Sequence, residues 1–201
     1  YTHDNQCVIY RGPDAAYRGK EICFNSNEDT LTIVDVTDKS DPKQLARVPY
    51  DGAFYTHQGW LTEDRKHFLV DDELDEQDQG GQTRTYVFNV ENLRNPIHAG
   101  TYNGVAESID HNQYVKGNRT YQANYRSGLR ILDSSGVAGG ALSEVGFFDV
   151  YPMRYSFVAD HFQYLASIGM IVLLVAILRR VAHRTTPYMP VVLIPLGLIT
   201  F

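Results

Sequence analysis

A histidine recurs at a fixed spacing and marks the start of three similar segments. Tyr1-Thr2-His3-Asp4, Tyr55-Thr56-His57-Gln58 and Ile109-Asp110-His111-Asn112 follow one another at intervals of 54 residues. Inside the first two segments the breakers Asp41-Pro42 and Asn95-Pro96 keep the same spacing. An internal repeat of this length predicts a fold made of stacked, equivalent units.

Each unit contains four short β-rich runs that are separated by turn residues. These runs are residues 6–10, 21–24, 31–36 and 44–48, then 59–61, 67–70, 85–90 and 99–102, then 113–115, 120–123, 129–133 and 145–148. Four short antiparallel strands at a fixed period are typical of a β-propeller blade. The sequence therefore predicts an all-β, partial β-propeller with blades at 1–54, 55–108 and 109–152. Because propellers usually have about four to eight blades, we expect further blades before Tyr1.

The chain changes character after Pro152. Residues 162–178 contain no charged side chain and end at Arg179 and Arg180. At about 1.5 Å per residue this run spans roughly 25 Å, the short end of the range for a membrane helix. We therefore expect residues 153–201 to be a membrane-anchoring tail, with a helix at about 162–178 and a second apolar segment at 188–201. A buried core helix is the alternative. The basic residues that follow would leave the blades outside the cytoplasm.

The formal net charge of −6 is unevenly distributed along the chain. Residues 153–201 hold four arginines and one aspartate, a balance of +3, which leaves −9 for residues 1–152. An acidic body without a stripe of lysine or arginine argues against a nucleic-acid partner.

Residues 1–152 resemble the LVIVD-repeat proteins, and more closely the choice-of-anchor B group of surface-anchored proteins. The first motif is Leu31-Thr32-Ile33-Val34-Asp35-Val36, and the likeness extends over residues 3–7, 12–14, 19–25, 57–64, 72–76, 109–112, 121–126 and 145–149. The resemblance implies an exported, propeller-like domain that is held at the cell surface, on the extracellular or periplasmic side. It implies no catalytic activity. The tail, at residues 154–169, is similar to a membrane segment of multi-span glycosyltransferases that carry tetratricopeptide repeats.

The three repeated histidines are candidate metal ligands. His3, His57 and His111 should point toward the same end of a central channel, and Asp4 and Asp110 lie beside them in sequence. Imidazole and carboxylate groups are the usual ligands of zinc and similar divalent ions. Alternatively, each histidine ties its own blade together by hydrogen bonds, because equivalent residues of adjacent blades are usually too far apart for one ion.

The two cysteines fall on the paired first and second strands of the first unit. Cys7 occupies the position of Leu61 and Val115 in the later units, and Cys23 can lie opposite it. A disulfide is expected because the tail indicates an oxidising compartment. A pair of buried free thiols is the alternative.

The acidic run Asp71-Asp72-Glu73-Leu74-Asp75-Glu76 is rich in oxygen ligands for calcium, but it lacks the alternating spacing of a dedicated calcium loop. A solvated β-turn is the preferred interpretation.

Two functions fit these patterns. The first is a non-enzymatic cell-surface module that binds a ligand or a protein partner. The second is a metal-dependent hydrolase that uses the histidines and the acidic run, since propellers host enzymes as well as binding proteins.

Overall fold

In a computed structural model, which describes residues 1–149, this part of the chain is built from twelve β-strands in three sheets. Each sheet is called a blade here. Blade 1 contains β1 (Asp4–Ile9), β2 (Glu21–Ser26), β3 (Leu31–Asp35) and β4 (Lys43–Val48). Blade 2 contains β5 (Thr56–Leu61), β6 (His67–Asp72), β7 (Arg84–Asn89) and β8 (Ile97–Asn103), with the short helix α1 (Asp75–Gln79) after β6. Blade 3 contains β9 (Asn112–Lys116), β10 (Arg119–Ala123), β11 (Leu129–Asp133) and β12 (Ser143–Phe148).

Every blade is an antiparallel meander in chain order. The prediction of an all-β fold with three four-stranded antiparallel sheets is therefore confirmed. Each predicted strand overlaps an observed one, and the differences lie at strand ends. β1 begins at Asp4 and β5 at Thr56, earlier than expected, because their pairing with Ser26 and Asp72 continues beyond the apolar residues.

The blades stack face to face, and their first strands lie side by side. β1 contacts β5, and β5 contacts β9. Successive side chains of a strand point to opposite faces of its sheet. Along β6, Phe68 therefore packs toward blade 1, while Leu69 packs in the cluster that contains Val115 of blade 3. Because both faces of blade 2 are covered, β6 is buried along its whole length.

The two interfaces between blades differ in chemistry. The interface of blades 1 and 2 is a large apolar cluster, in which the rings of Phe24 and Phe68 stack with centroids 5.3 Å apart. The interface of blades 2 and 3 has a smaller apolar cluster around Leu69 and Val87. Buried polar side chains such as Gln113 take up much of the rest. The second interface therefore depends on polar contacts far more than the first.

No helix within residues 1–149 is long and apolar enough to cross a membrane. The expected anchoring tail at 153–201, with its helix at about 162–178 and its second apolar segment at 188–201, lies outside the described residues.

Candidate functional site

His3, His57 and His111 form a continuous column across the three blades, here called the histidine column. The ring centroids of His3 and His57 are 4.3 Å apart, and those of His57 and His111 are also 4.3 Å apart. The column exists because each histidine lies at the start of its blade's first strand, and these strands are adjacent. For His57 and His111, the expectation that equivalent residues lie too far apart for one ion is wrong.

Hydrogen bonds along the column join neighbouring blades. Nδ1 of His3 lies 3.2 Å from the carbonyl oxygen of His57, and Nδ1 of His57 lies 2.9 Å from the carbonyl oxygen of His111. For His3 and His57, the interpretation in which each histidine ties its own blade together is therefore wrong. The column connects one blade to the next.

Glu73 completes a cluster of possible metal ligands with two of these histidines. It follows β6, and its backbone N–H donates to the carbonyl oxygen of Tyr55 at 3.1 Å, which brings it to the start of β5. Its Oε2 is 3.5 Å from Nε2 of His57, and its Oε1 is 3.7 Å from Nε2 of His111. The hydroxyl of Tyr125 also donates to Oε1. His57, Glu73 and His111, with ligand atoms all within 4.8 Å of one another, are called the histidine–glutamate site.

The tautomer of His57 follows from its hydrogen bond. A carbonyl oxygen can only accept, so Nδ1 of His57 must carry the proton. In the neutral ring Nε2 then has a lone pair, and it faces the Glu73 carboxylate, which is also an acceptor. A shared proton or a metal ion between these two acceptors would turn the contact into an attractive one.

The hydrogen bond from His57 to the His111 carbonyl is of the kind that metal-binding histidines commonly make with the ring nitrogen that does not bind the metal. Such histidines usually donate their second ring N–H to a carbonyl or carboxylate, which fixes the ring orientation. His57 has this arrangement before any ion is considered.

The distances suit a small tetrahedral ion. Zinc binds imidazole nitrogen and carboxylate oxygen at about 2.0–2.2 Å, which places neighbouring ligand atoms of a tetrahedron roughly 3.4 Å apart. The observed nitrogen–oxygen separations of 3.5 Å and 3.7 Å are close to this value, although each histidine faces a different oxygen of Glu73. The three ligand atoms would therefore have to draw closer together around a zinc ion.

Burial favours the neutral, metal-competent form of His57. Loss of solvent is the largest influence and lowers the pKa of this imidazole, and His111 lowers it further, while Glu73 acts in the opposite direction. A lowered pKa leaves the ring neutral at pH 7, as metal binding requires. The side chains of His57, Glu73 and His111 are 8%, 16% and 18% exposed, so the site borders solvent.

The other predicted ligands lie elsewhere. His3 packs against His57 with tilted rings, but it is not in the set of ligand atoms that lie within 4.8 Å of one another. Asp4 is partly exposed and accepts from the backbone N–H of Asn5 at 2.6 Å. Asp110 is fully buried and accepts from the backbone N–H of Arg84 at 3.0 Å. The structure therefore brings together His57 and His111 from the predicted set, and adds Glu73.

The acidic run is not a solvated turn, and that interpretation is wrong. Asp71 and Asp72 belong to β6, Asp75 and Glu76 belong to α1, and all four are buried. Burial raises the pKa of Asp72 to about 6 and that of Glu76 to about 9. It also raises the pKa of Asp71 well above its ordinary value.

The structure contains the expected disulfide between Cys7 and Cys23. The two residues are direct partners in the β1–β2 register, so the bond links neighbouring strands within blade 1.

Sequence reasoning missed Glu73 as a partner of the histidines. The signal was present, because antiparallel pairing brings the end of a second strand to the start of the first. Thr56 pairs with Asp72, and a register shift between Thr56 and Gln58 leaves His57 outside the regular pairing, where it meets Glu73.

Neither a protein-family model nor a curated protein sequence matches the chain. Among solved structures it is similar to U3-55K, with a TM-score of 0.49 and 11% identity over 74% of this chain and 43% of that one. It is also similar to the WD40 repeats of RRP9, with a TM-score of 0.49 and 11% identity over 74% of this chain and 42% of that one. The chain spans less than half the length of either structure.

Proposed function

We propose that this chain is a metal-binding part of an exported, non-enzymatic β-propeller, and that its metal is a zinc-like divalent ion at the histidine–glutamate site. The observation that carries the proposal is the meeting of two Nε2 atoms, from adjacent blades, on one carboxylate. Imidazole nitrogen and carboxylate oxygen are both common zinc ligands in proteins.

The role of the ion would be to bind a ligand. Three protein ligands leave one tetrahedral position open, and the partly exposed site gives a donor atom access to it. A partner that presents a carboxylate or imidazole could occupy this position. The same ion would also hold blades 2 and 3 together, since Glu73 and His57 belong to one blade and His111 precedes the first strand of the next.

The proposal includes export and anchoring. The Cys7–Cys23 disulfide supports an oxidising compartment, where such bonds persist. The resemblance of residues 1–152 to the choice-of-anchor B group supports a place on the extracellular or periplasmic face, with the tail at 153–201 as the membrane contact. At this location the partner would be a surface ligand or another protein.

A metal-dependent hydrolase is the second candidate, and the open coordination position favours it. Two histidines and one glutamate with a bound water are the ligand set of several zinc peptidases. Hydrolysis would also need a group that takes a proton from that water. Glu73 is already a ligand in this arrangement, so it would not be free for that role. Binding without turnover is therefore the preferred function.

Zinc titration of the chelator-stripped full chain tests the proposal. We expect one zinc ion per chain. Glu73→Gln should weaken zinc affinity by about 100-fold or more, because loss of a residue that only hydrogen-bonds to a metal ligand already costs about 10- to 100-fold. Glu63→Gln is the matched control, because Glu63 is an exposed carboxylate of blade 2 that accepts from the Gly117 backbone. Equal zinc affinity in wild type and Glu73→Gln would overturn the assignment.

Two further measurements separate the candidate functions. In cobalt-substituted protein, added imidazole should change the visible spectrum if a coordination position is open. An esterase and phosphatase screen of the zinc-loaded chain should show no turnover. Turnover that disappears in Glu73→Gln but persists in Glu63→Gln would favour the hydrolase.

A further inference from the structure

A second group of carboxylates, none of them in the histidine–glutamate site, lies buried around the end of β6, the helix α1 and the segment before β9. It consists of Asp71, Asp75, Glu76 and Asp110 and is called the acidic cluster. Asp71, Asp75 and Asp110 are 0% exposed and Glu76 is 8% exposed. Four carboxylates with so little contact with water need an explanation, because buried charges are costly unless they are paired.

The backbone of Arg84 brings two members of the cluster together. Its N–H donates to Oε1 of Glu76 at 3.2 Å and to Oδ2 of Asp110 at 3.0 Å. The Arg84 guanidinium forms an ion pair with Asp75 at 3.1 Å. One guanidinium thus serves a cluster of four carboxylates, so Asp71, Glu76 and Asp110 lack a side-chain cation of their own within residues 1–149.

Each carboxylate keeps one oxygen without a hydrogen-bond partner among the described residues. These atoms are Oδ2 of Asp71, Oδ1 of Asp75, Oε2 of Glu76 and Oδ1 of Asp110. Buried polar atoms are rarely left unpaired, and each exception requires an explanation such as an unseen ion.

Gln113 provides an independent observation. It is 0% exposed, and its Nε2 donates to Oδ1 of Asp71 at 2.8 Å, which places its amide group against the cluster. Its Oε1 has no hydrogen-bond partner in the described part of the chain. A neutral side chain therefore adds another buried, unused oxygen beside the carboxylates.

We propose that the acidic cluster is a calcium site, in which Asp71, Glu76, Asp110 and the amide oxygen of Gln113 hold one Ca²⁺ ion. Calcium takes six to eight oxygen ligands from carboxylates, amide carbonyls and water, in flexible geometry. A cluster of oxygen atoms without imidazole or thiolate favours such a hard ion over zinc.

Glu76 would have to lose a proton when the ion binds. Burial is the largest influence and raises the pKa of this carboxyl group to about 9, so it holds a proton at neutral pH when no cation is bound. A bound cation would favour the ionised form.

Calcium at this position would connect two blades. Asp71 and Glu76 belong to blade 2, whereas Gln113 belongs to blade 3 and Asp110 lies just before it. This is the interface with the smaller apolar cluster. The ion would therefore stabilise the interface that has the least hydrophobic burial.

Calorimetric titration of the chelator-stripped full chain with CaCl₂ tests the proposal, together with thermal unfolding with and without calcium. We expect one ion per chain and a rise of several degrees in Tm. Asp110→Asn and Glu76→Gln should each lower calcium affinity by at least tenfold. Two variants are used so that the test still works if one of them does not fold.

Asp72→Asn is the matched control. Asp72 is a buried neighbour of Asp71, but both of its oxygens are already bound by Tyr50, Phe54 and Tyr55. This variant should keep the calcium-induced rise in Tm. The proposal is overturned if wild type shows neither heat nor a Tm change, or if Asp110→Asn and Glu76→Gln bind calcium as wild type does. His57→Asn should still bind calcium, so this variant tests the calcium proposal separately from the zinc proposal.

Discussion

Nδ1 of His57 donates a hydrogen bond to the carbonyl oxygen of His111, 2.9 Å away, across the boundary between two blades. This contact has two consequences. It joins blade 2 to the segment that leads into blade 3, and it fixes the tautomer that leaves Nε2 free to bind a metal. A structural role and a ligand role therefore reside in different nitrogens of the same ring.

Substitution at His57 should separate these two roles. In His57→Asn the side-chain amide can still donate from the position of Nδ1, but no atom replaces Nε2. We expect the free energy of unfolding in chelator to stay closer to that of wild type than it does in His57→Ala, while zinc no longer raises Tm. His57→Ala should lose the zinc effect and also about 1 kcal/mol of stability, the net value of a typical hydrogen bond. Urea unfolding in chelator and thermal unfolding with and without zinc provide the two measurements. A zinc-induced rise in His57→Asn equal to that of wild type would contradict the ligand role.

The disulfide should contribute strongly to blade 1. Closing a loop of about 15 residues stabilises a protein by roughly 3 kcal/mol in the chain-entropy account. The double variant Cys7→Ala/Cys23→Ala should therefore unfold at a lower urea concentration, with a loss of about this size. Fully reduced wild type is the matched comparison. A thiol assay on unfolded, unreduced protein should find no free thiol, and two free thiols would show that the bond does not form.

His67 should make stability depend on pH. Burial is the largest influence and lowers the pKa of this imidazole, while Asp64 and Glu91 raise it and Lys66 lowers it. The unfolded chain, with a histidine pKa of about 6.5, then binds more protons than the folded chain. Stability is complete above about pH 6.5 and is lost as the pH falls through the lowered folded-state pKa.

His67→Leu tests this dependence. Within residues 1–149 neither ring nitrogen of His67 has a hydrogen-bond partner, so an apolar side chain of similar size should be tolerated at pH 8. Urea unfolding at pH 8 and pH 5.5 should show a smaller loss of stability on acidification in the variant than in wild type. Equal losses would exclude His67 as the source.

Gly59 should resist substitution because of a close approach between strands. An added Cβ would overlap the ring of Phe68 and lie 2.6 Å from the carbonyl oxygen of Leu69. Gly59→Ala should therefore destabilise the protein by about 1–3 kcal/mol, as overpacking does. Gly139→Ala is the control, since its Cβ would meet no atom within 4 Å. Thermal unfolding of both variants measures the difference, and similar Tm values would contradict the packing argument.

Much of the architecture was predictable because the relevant signals are local. Turn residues and apolar runs located all four strands of each blade, and the spacing of His3, His57 and His111 set the blades in register. The disulfide was also predictable, since Cys7 and Cys23 fall on adjacent strands of one hairpin.

The candidate site was only half predictable. His57 and His111 were identified from the repeat, but Glu73 was assigned to an acidic run and Asp110 to the histidines. Adjacent residues of an extended chain point to opposite sides. His111 therefore approaches Glu73, while Asp110 contacts the backbone of Arg84.

The sequence by itself determined the period of the chain, its strands and the column of histidines, because hydrophobic alternation and turn chemistry act over a few residues. Only the tertiary structure decided which carboxylates meet the histidines and which are buried together between blades 2 and 3. These interactions join residues that are 38 and 39 positions apart, as for Glu73 with His111 and Asp71 with Asp110. They depend on how closely two sheets approach, and no local pattern of residues specifies that distance.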